Sequence, residues 1–413
     1  MLSFKLTQNM ARICTATLMA VTTCLPAFAL ADPQSDEANR QRLMASMRAE
    51  TARADRSSFE RSMADQRASA TSANASRSSA SPASSGASSS GGTGSDGSGQ
   101  AAEPGQQSVV SRYTLIIRTE ETPEQVVARL VQDAAAGDEA AQFNLGRIFY
   151  TGFNEIPRDD ARARGYFAQA AAAGHAQSQA NYGYFLVEGL GGPADPVEGR
   201  HLLKQAADAG NSFGQAHYGL AIVTTDPAEA ARYLIAAADA GELAGQAMMG
   251  TLYAMGEGVT RNDARAAHYL KAASDQGDPS STGLLAGMYL SGRGGTEAEG
   301  YSLLRQAAEA GDRESQHNYG LLLVQGNGYP KNEAEGFKQV ERAARAGYVP
   351  SEKLLADLYL QGTGVAQNDA EALRWFATAA SDGDEEALTI MRGLSPDELA
   401  LLPADAPQWD PSE

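Results

Sequence analysis

The chain runs to 413 residues, with 33 basic against 51 acidic side chains and a formal net charge of −18. That length is ample for a sizeable buried core and for more than one region. So acidic a surface repels nucleic acid and anionic lipid, which sets both aside as partners and leaves solubility, and docking to a basic partner, as what the charge favours.

Lys5 and Arg12 precede an apolar run from Ile13 to Ala31, and no acidic residue comes before Asp32. Small residues at Ala27-Phe28-Ala29 and at Ala29-Leu30-Ala31 offer two cleavage sites to a signal peptidase. Residues 1–31 therefore read as a secretory signal, too short and too interrupted by threonine and Pro26 to span a membrane, and the mature chain is expected to hold no transmembrane span. An exported, periplasmic or secreted chain follows. Both cysteines, Cys14 and Cys24, lie inside this segment, so the mature chain is expected to use no disulfide. A lipoprotein acylated at Cys24 is the alternative, and the bulky Thr23 before that cysteine speaks against it.

Residues 32–66 are good helix formers with two thin apolar stripes, Leu43, Met44 and Met47, then Phe59 and Met63. They suit a polar, partly helical, solvated arm, or else a partner-binding helix that orders on docking. Residues 67–108 are rich in Ser, Gly and Ala and carry too little apolar surface to offset ordering entropy, so they predict a disordered linker. Val109 to Arg118 is β-branched and apolar, fit for a short strand or an extended lead-in. Thr122-Pro123-Glu124-Gln125 has the signals of a helix start, and the helix it opens should close at Gly137. Residues 109–137 thus form a lead-in and an N-terminal capping helix.

From there the chain repeats. Glycines close a helix at Gly137, Gly174, Gly210, Gly241, Gly277, Gly311, Gly347 and Gly383, at intervals of 37, 36, 31, 36, 34, 36 and 36 residues. Such a period signifies a stacked array rather than a globular enzyme domain. Seven positions before each closing glycine from Gly174 to Gly383 stands a large apolar residue: Phe167, Leu203, Leu234, Leu270, Leu304, Val340 and Phe376. Eleven before each of these seven glycines stands a small one, and the positions three and four before all eight glycines are alanine apart from Asp133 and Ser274. Spacings of three and four share one helix face, so each helix offers one anchor among small residues and invites close approach. Asp195-Pro-Val-Glu198, Asp226-Pro-Ala-Glu229, Thr296-Glu-Ala-Glu299 and Asn332-Glu-Ala-Glu335 resemble capping boxes at its start. The preceding helix carries small residues at Gly146, Gly183, Gly219, Gly250, Ala286, Gly320 and Ala356, followed six residues on by a glycine turn that repeat 3 lacks. Seven repeats occupy 138–384, and residues 385–413 supply capping helices, over Glu385–Leu394 and Pro396–Leu402, and a tail in which Trp409 has the option of packing back.

Tyr253-Ala-Met-Gly-Glu-Gly-Val259 with Asp263 and Ala267, and Tyr359-Leu-Gln-Gly-Thr-Gly-Val365 with Trp375-Phe-Ala-Thr-Ala-Ala380, resemble the Sel1-like repeat (SLR) family, relatives of the tetratricopeptide repeats. Repeat 3 departs by its missing turn, and repeat 5 by Thr282 and Gly283 in place of a Gln-Ala pair. The resemblance implies an all-α fold, an αα-solenoid wound as a right-handed superhelix. It also implies a non-catalytic scaffold, adaptor or regulator that binds another protein or peptide, here of the bacterial cell envelope.

No cofactor is expected. Periodic Gly-x-Gly between helices makes turns rather than a phosphate loop, which needs a single copy between strand and helix. The histidines, His175, His201, His217, His268 and His317, form no metal-ligand spacing, so no metal site is predicted either. His175 follows a closing glycine, where the family favours histidine, which implies a structural role. The alternative function is a cell-envelope hydrolase working through groove carboxylates on a glycan or β-lactam-like substrate. The β-lactamase-like branch of the family is rich in cysteine, which this chain is not.

In similar arrays the first helices line a concave groove. There Gln142, Gln179, Gln215, Gln246 and Gln316 share one position, four before the small residue. Two before it stand Asn144, Asn181, His217 and Asn318, with Met248, Leu284 and Leu354 in other repeats. Amides so placed can clamp a peptide backbone, in a groove polar toward its N-terminal half and more apolar in repeats 4 and 5. Equally, they can satisfy the ends of neighbouring helices.

Overall fold

The structure, a computed structural model, describes residue 115 and residues 121–153, 155–403 and 406–407. The expected signal, arm and linker, almost all of the lead-in, and Trp409 lie outside the described residues. Those residues carry 17 helices, and their one β feature is an isolated bridge between Phe153 and Ile156. They form two compact units, one ending at Ala221 and the other beginning at Ile222.

The first unit holds α1 (Pro123–Ala135), α2 (Glu139–Thr151), α3 (Asp160–Ala172), α4 (Ala176–Glu188), α5 (Pro196–Asp208) and nearly all of α6 (Ser212–Ile222). The second holds α7 (Pro227–Asp239), α8 (Leu243–Met255), α9 (Asp263–Asp275), α10 (Pro279–Leu290), α11 (Glu297–Glu309), α12 (Arg313–Gln325), α13 (Glu333–Arg345), α14 (Val349–Gln361), α15 (Asp369–Ser381), α16 (Glu385–Arg392) and α17 (Pro396–Leu399). Even-numbered helices from α2 to α14 are the first of each repeat and odd-numbered ones from α3 to α15 the second.

Every closing glycine has a positive φ, from 74° at Gly347 to 98° at Gly311. At Gly241 the corner is a Schellman turn, in which Gly241 N–H donates to Ala238 at 3.0 Å and Glu242 N–H to Ala237 at 3.0 Å. Glu242 is also the N-cap of α8, so one residue both ends a helix and starts the next. Asp138, Asp278, Asp312 and Asp384 do the same and add a side-chain cap.

The second-helix starts refine the capping expectation. Thr122 and Thr296 form complete boxes with Gln125 and Glu299. At Asp195, Asp226 and Asn332 the N-cap side chain bonds the backbone of the third helical residue, but the return bond is absent. The backbone N–H groups of those three residues already donate to Leu186, Ile222 and Leu323, at 2.8, 2.8 and 2.9 Å, so there is no orphan donor for a glutamate to satisfy.

Packing follows the small-to-large rule inside each unit. The seven anchors are all essentially buried. A Cβ added at Gly146 would lie 2.6 Å from the Phe167 ring, and one at Gly250 2.6 Å from Leu270, so the first helix lies directly on the anchor of the second. Repeat 3 replaces the glycine turn by residues 223–226, closed by Asp226 N–H and the Thr225 hydroxyl on the Ile222 carbonyl. At the C-terminal end Ala387, Ile390 and Met391 of α16 join the core of Leu360, Leu373 and Phe376. Both terminal helices are shorter than expected. α16 ends at its Gly393 C-cap, just before Ser395 opens a new capping box, and beyond Leu399 the chain tightens into turns in which Leu401 N–H donates to Glu398 and Leu402 N–H to Leu399, both at 3.1 Å.

Candidate partner-binding face

The glutamines of the first helices form a tie between consecutive helices. Gln142 Nε2 donates to Ala134 O at 3.2 Å and Gln215 Nε2 to Ala207 O at 3.4 Å in the first unit. In the second, Gln246 Nε2 donates to Ala238 O at 3.4 Å and Gln316 Nε2 to Ala308 O at 3.2 Å. Each acceptor is the residue three before a closing glycine, a carbonyl near the end of its helix. Gln179 differs: its amide faces Gln205 Oε1 at 3.4 Å. Gln246 also accepts from Gln276 Nε2 at 2.8 Å, and Gln276 donates to Gly241 O at 3.0 Å.

Repeat 5 keeps the tie with other atoms. Thr282 occupies the glutamine position, and its hydroxyl meets Ser274 Oγ at 2.7 Å and donates to Asp278 O at 2.8 Å. Ser274 is the residue three before Gly277, so serine and threonine have replaced alanine and glutamine together. Gly283 beside them leaves room for the next repeat, since a Cβ there would lie 2.4 Å from Ser315 Oγ.

The second polar position is buried. In the first unit Asn144, Asn181 and His217 lie in the packed layer, with the His217 ring 4.1 Å from Phe213 and 4.7 Å from Tyr184. Asn181 is 7% exposed, and its Nδ2 has no hydrogen-bond partner. In the second unit Asn318 is buried, Met248 is wholly buried, and Leu284 and Leu354 are half-buried. His175 is the N-cap of α4, its Nδ1 is 2.7 Å from Ser178 Oγ, and its ring meets Phe143 edge-on.

The Gly-x-Gly turns are packing devices. Gly256 ends α8 in the left-handed conformation, and Gly258 lies so close to the start of α7 that an added Cβ would stand 2.1 Å from Pro227 O. Gly191 approaches Asp160 O in the same way at 2.2 Å, and Gly364 approaches Glu333 O at 2.2 Å. In repeat 5 the turn is fastened by Arg293 instead, which donates to Ala254 O at 2.8 Å and to Asp263 at 2.6 Å. That guanidinium holds the Asp263 carboxyl down at about 2.

Sequence reading marked Thr282 only as a departure from the repeat, and missed Gln276 and Glu352. Glu352 stands at the glutamine position of repeat 7, is 1% exposed, and is pushed up to about 7 by burial and then by Asp382. Its signal was its register, four before Ala356.

Sel1 repeats match the chain at 139–175, 176–211, 214–242, 243–278, 283–312, 313–348 and 350–384, more than half of its length. The chain belongs to the Sel1 repeat family. The Sel1 repeat is in general a protein-interaction fold. No curated protein matches the chain. Among solved structures it is similar to c5321, a protective antigen of uropathogenic Escherichia coli displaying an SLR fold, at 25% identity and a TM-score of 0.59, over 67% of this chain and 62% of that one. It is also similar to a Sel1 repeat protein from Oxalobacter formigenes, at 26% identity and a TM-score of 0.52, over 66% of this chain and 80% of that one. Among the described residues no Sel1 helix is long and apolar enough to cross a membrane.

Proposed function

We propose that this chain is an exported, non-catalytic adaptor of the bacterial cell envelope that binds a protein or peptide on its first-helix faces. Seven consecutive Sel1 repeats support interaction over chemistry, and the signal-like residues 1–31 support export. The observation that carries the reading is Asn181, whose buried amide nitrogen has no acceptor at a position shared with Asn144, His217 and Asn318. A backbone carbonyl of a bound peptide is the acceptor such a donor lacks, and because that nitrogen is closed off in the free chain, capture requires the side chains covering it to move aside. The glutamines Gln142, Gln215, Gln246 and Gln316 then serve the site by holding the helices that present it.

Crosslinking pull-downs from envelope extracts, run with the wild-type protein and with Asn181→Ala and Asn318→Ala, test this. The expected result is reproducible recovery of one envelope protein, lost or strongly reduced with Asn181→Ala, while thermal unfolding is unchanged because the substitution removes an unsatisfied donor. Undiminished capture by Asn181→Ala removes that residue from the site. No partner, together with turnover of a wall glycan or β-lactam, overturns the adaptor in favour of a hydrolase.

A further inference from the structure

We propose that Glu352 and Asp382 form a proton-operated latch, a carboxyl pair sharing one proton that fastens the first helix of repeat 7 to the corner leading into α16 and slackens as it ionises. The register points to it. Glu352 occupies the position that Gln246 holds in repeat 4, and Asp382, the C-cap of α15, occupies that of Gln276, the C-cap of α9. Gln246 and Gln276 are hydrogen-bonded at 2.8 Å, and the same register brings the buried Glu352 carboxyl beside that of the exposed Asp382. The C-caps of α3, α5, α7, α11 and α13 are alanines, Ala173, Ala209, Ala240, Ala310 and Ala346. Only repeats 4 and 7 thus pair a polar C-cap with this position, one with two amides and the other with two acids.

Two carboxyl groups can form that bond only while one keeps its proton, since two ionised groups would present acceptors to one another. The surroundings keep the proton on Glu352. Its Oε2 is buried without a partner. From α16, Asp384 adds a second negative charge. On α14 itself, Lys353 is engaged by Glu386 at 2.6 Å and Asp384 at 3.6 Å, and Asp357 also acts on that lysine. From α12, His317 bonds Ser351 at 2.8 Å and stays neutral, because burial pushes it down to about 4. From α13, Glu341 and Arg345 pair with each other at 2.9 Å. The Glu352 carboxyl is accordingly raised from its ordinary 4.5 to about 7.

The direction of the pH effect follows. Between 4.5 and about 7 the folded chain holds a proton that the unfolded chain has released, so the stability due to the latch is complete below 4.5, falls as pH rises toward 7, and is level above it. Asp263, Glu124 and Glu299 are shifted down and act at lower pH. Burial also raises Asp312, which contributes equally to the wild type and to variants at Glu352.

Thermal unfolding and amide hydrogen exchange, the latter expressed as protection factors, of the full chain and of Glu352→Gln across about pH 4.5 to pH 8 test the latch. The wild type should lose melting temperature and protection over α14 to α16 as pH approaches 7. Glu352→Gln should show a flatter profile and exceed the wild type above pH 7, because it installs the amide that five of the other six repeats carry. Parallel profiles for the two proteins overturn the proposal. Asp382→Asn gives a second reading: it should move the wild-type transition to lower pH, and an unmoved transition also overturns the latch.

Discussion

Repeats 4 and 5 sit side by side in the second unit and make the same joint with different atoms. Repeat 4 brings Gly258 against the backbone at Pro227 and ties α8 to α7 through Gln246. Repeat 5 leaves room around Gly294, whose nearest neighbour to an added Cβ is Ala267 at 3.5 Å, and fastens the turn with Arg293. It also exchanges the amide-to-carbonyl tie for the Thr282 and Ser274 hydroxyls. The backbone path is thus common property of the repeats, while the contacts enforcing it are interchangeable provided that both partners change together.

The largest effect expected from this contrast is at the turns. Gly258→Ala meets both a positive φ of 65° and a backbone oxygen at 2.1 Å, and we expect it to cost about 3 kcal/mol or more. Gly294→Ala, at a φ of 87°, meets only the conformational strain and should cost about 1 kcal/mol. Urea unfolding of both variants measures the difference, and equal losses would show that close approach at Gly258 contributes nothing.

Much of this joint is legible in the sequence. The closing glycines and buried anchors follow from spacing alone, because a left-handed corner and a 3.6-residue period admit few alternatives. The glutamine ladder was visible, but its use was not. An amide at one register serves a ligand or a helix end equally well, and only the distance to the carbonyl eight residues earlier separates them. A clue was nevertheless present: Ser274 breaks the alanine rule and Thr282 breaks the glutamine rule, and they stand eight residues apart, as Ala238 and Gln246 do. The half-formed boxes at Asp195, Asp226 and Asn332 were misjudged because sequence does not show that the N-cap N–H is already taken.

The hydroxyl tie gives the next largest effect. Thr282→Val removes both of its bonds and leaves Ser274 buried without that partner, at a cost of about 1–2 kcal/mol. Adding Ser274→Ala restores the alanine found elsewhere and should recover most of that loss, since removing both partners of a buried bond is nearly neutral. Additive losses in the double variant would mean that the two hydroxyls act independently.

The smallest effect belongs to repeat 4. Gln246→Leu withdraws the donor from Ala238 O and the acceptor from Gln276, yet Gln246 is half-buried where Ser274 and Thr282 are buried. Water can reach the freed groups, so the loss should stay below about 1 kcal/mol despite the larger side chain changed. The same urea titration decides the matter. A loss larger for Gln246→Leu than for Thr282→Val would place the strength of these ties in the amide itself, whereas the reverse order places it in the exclusion of water from the joint.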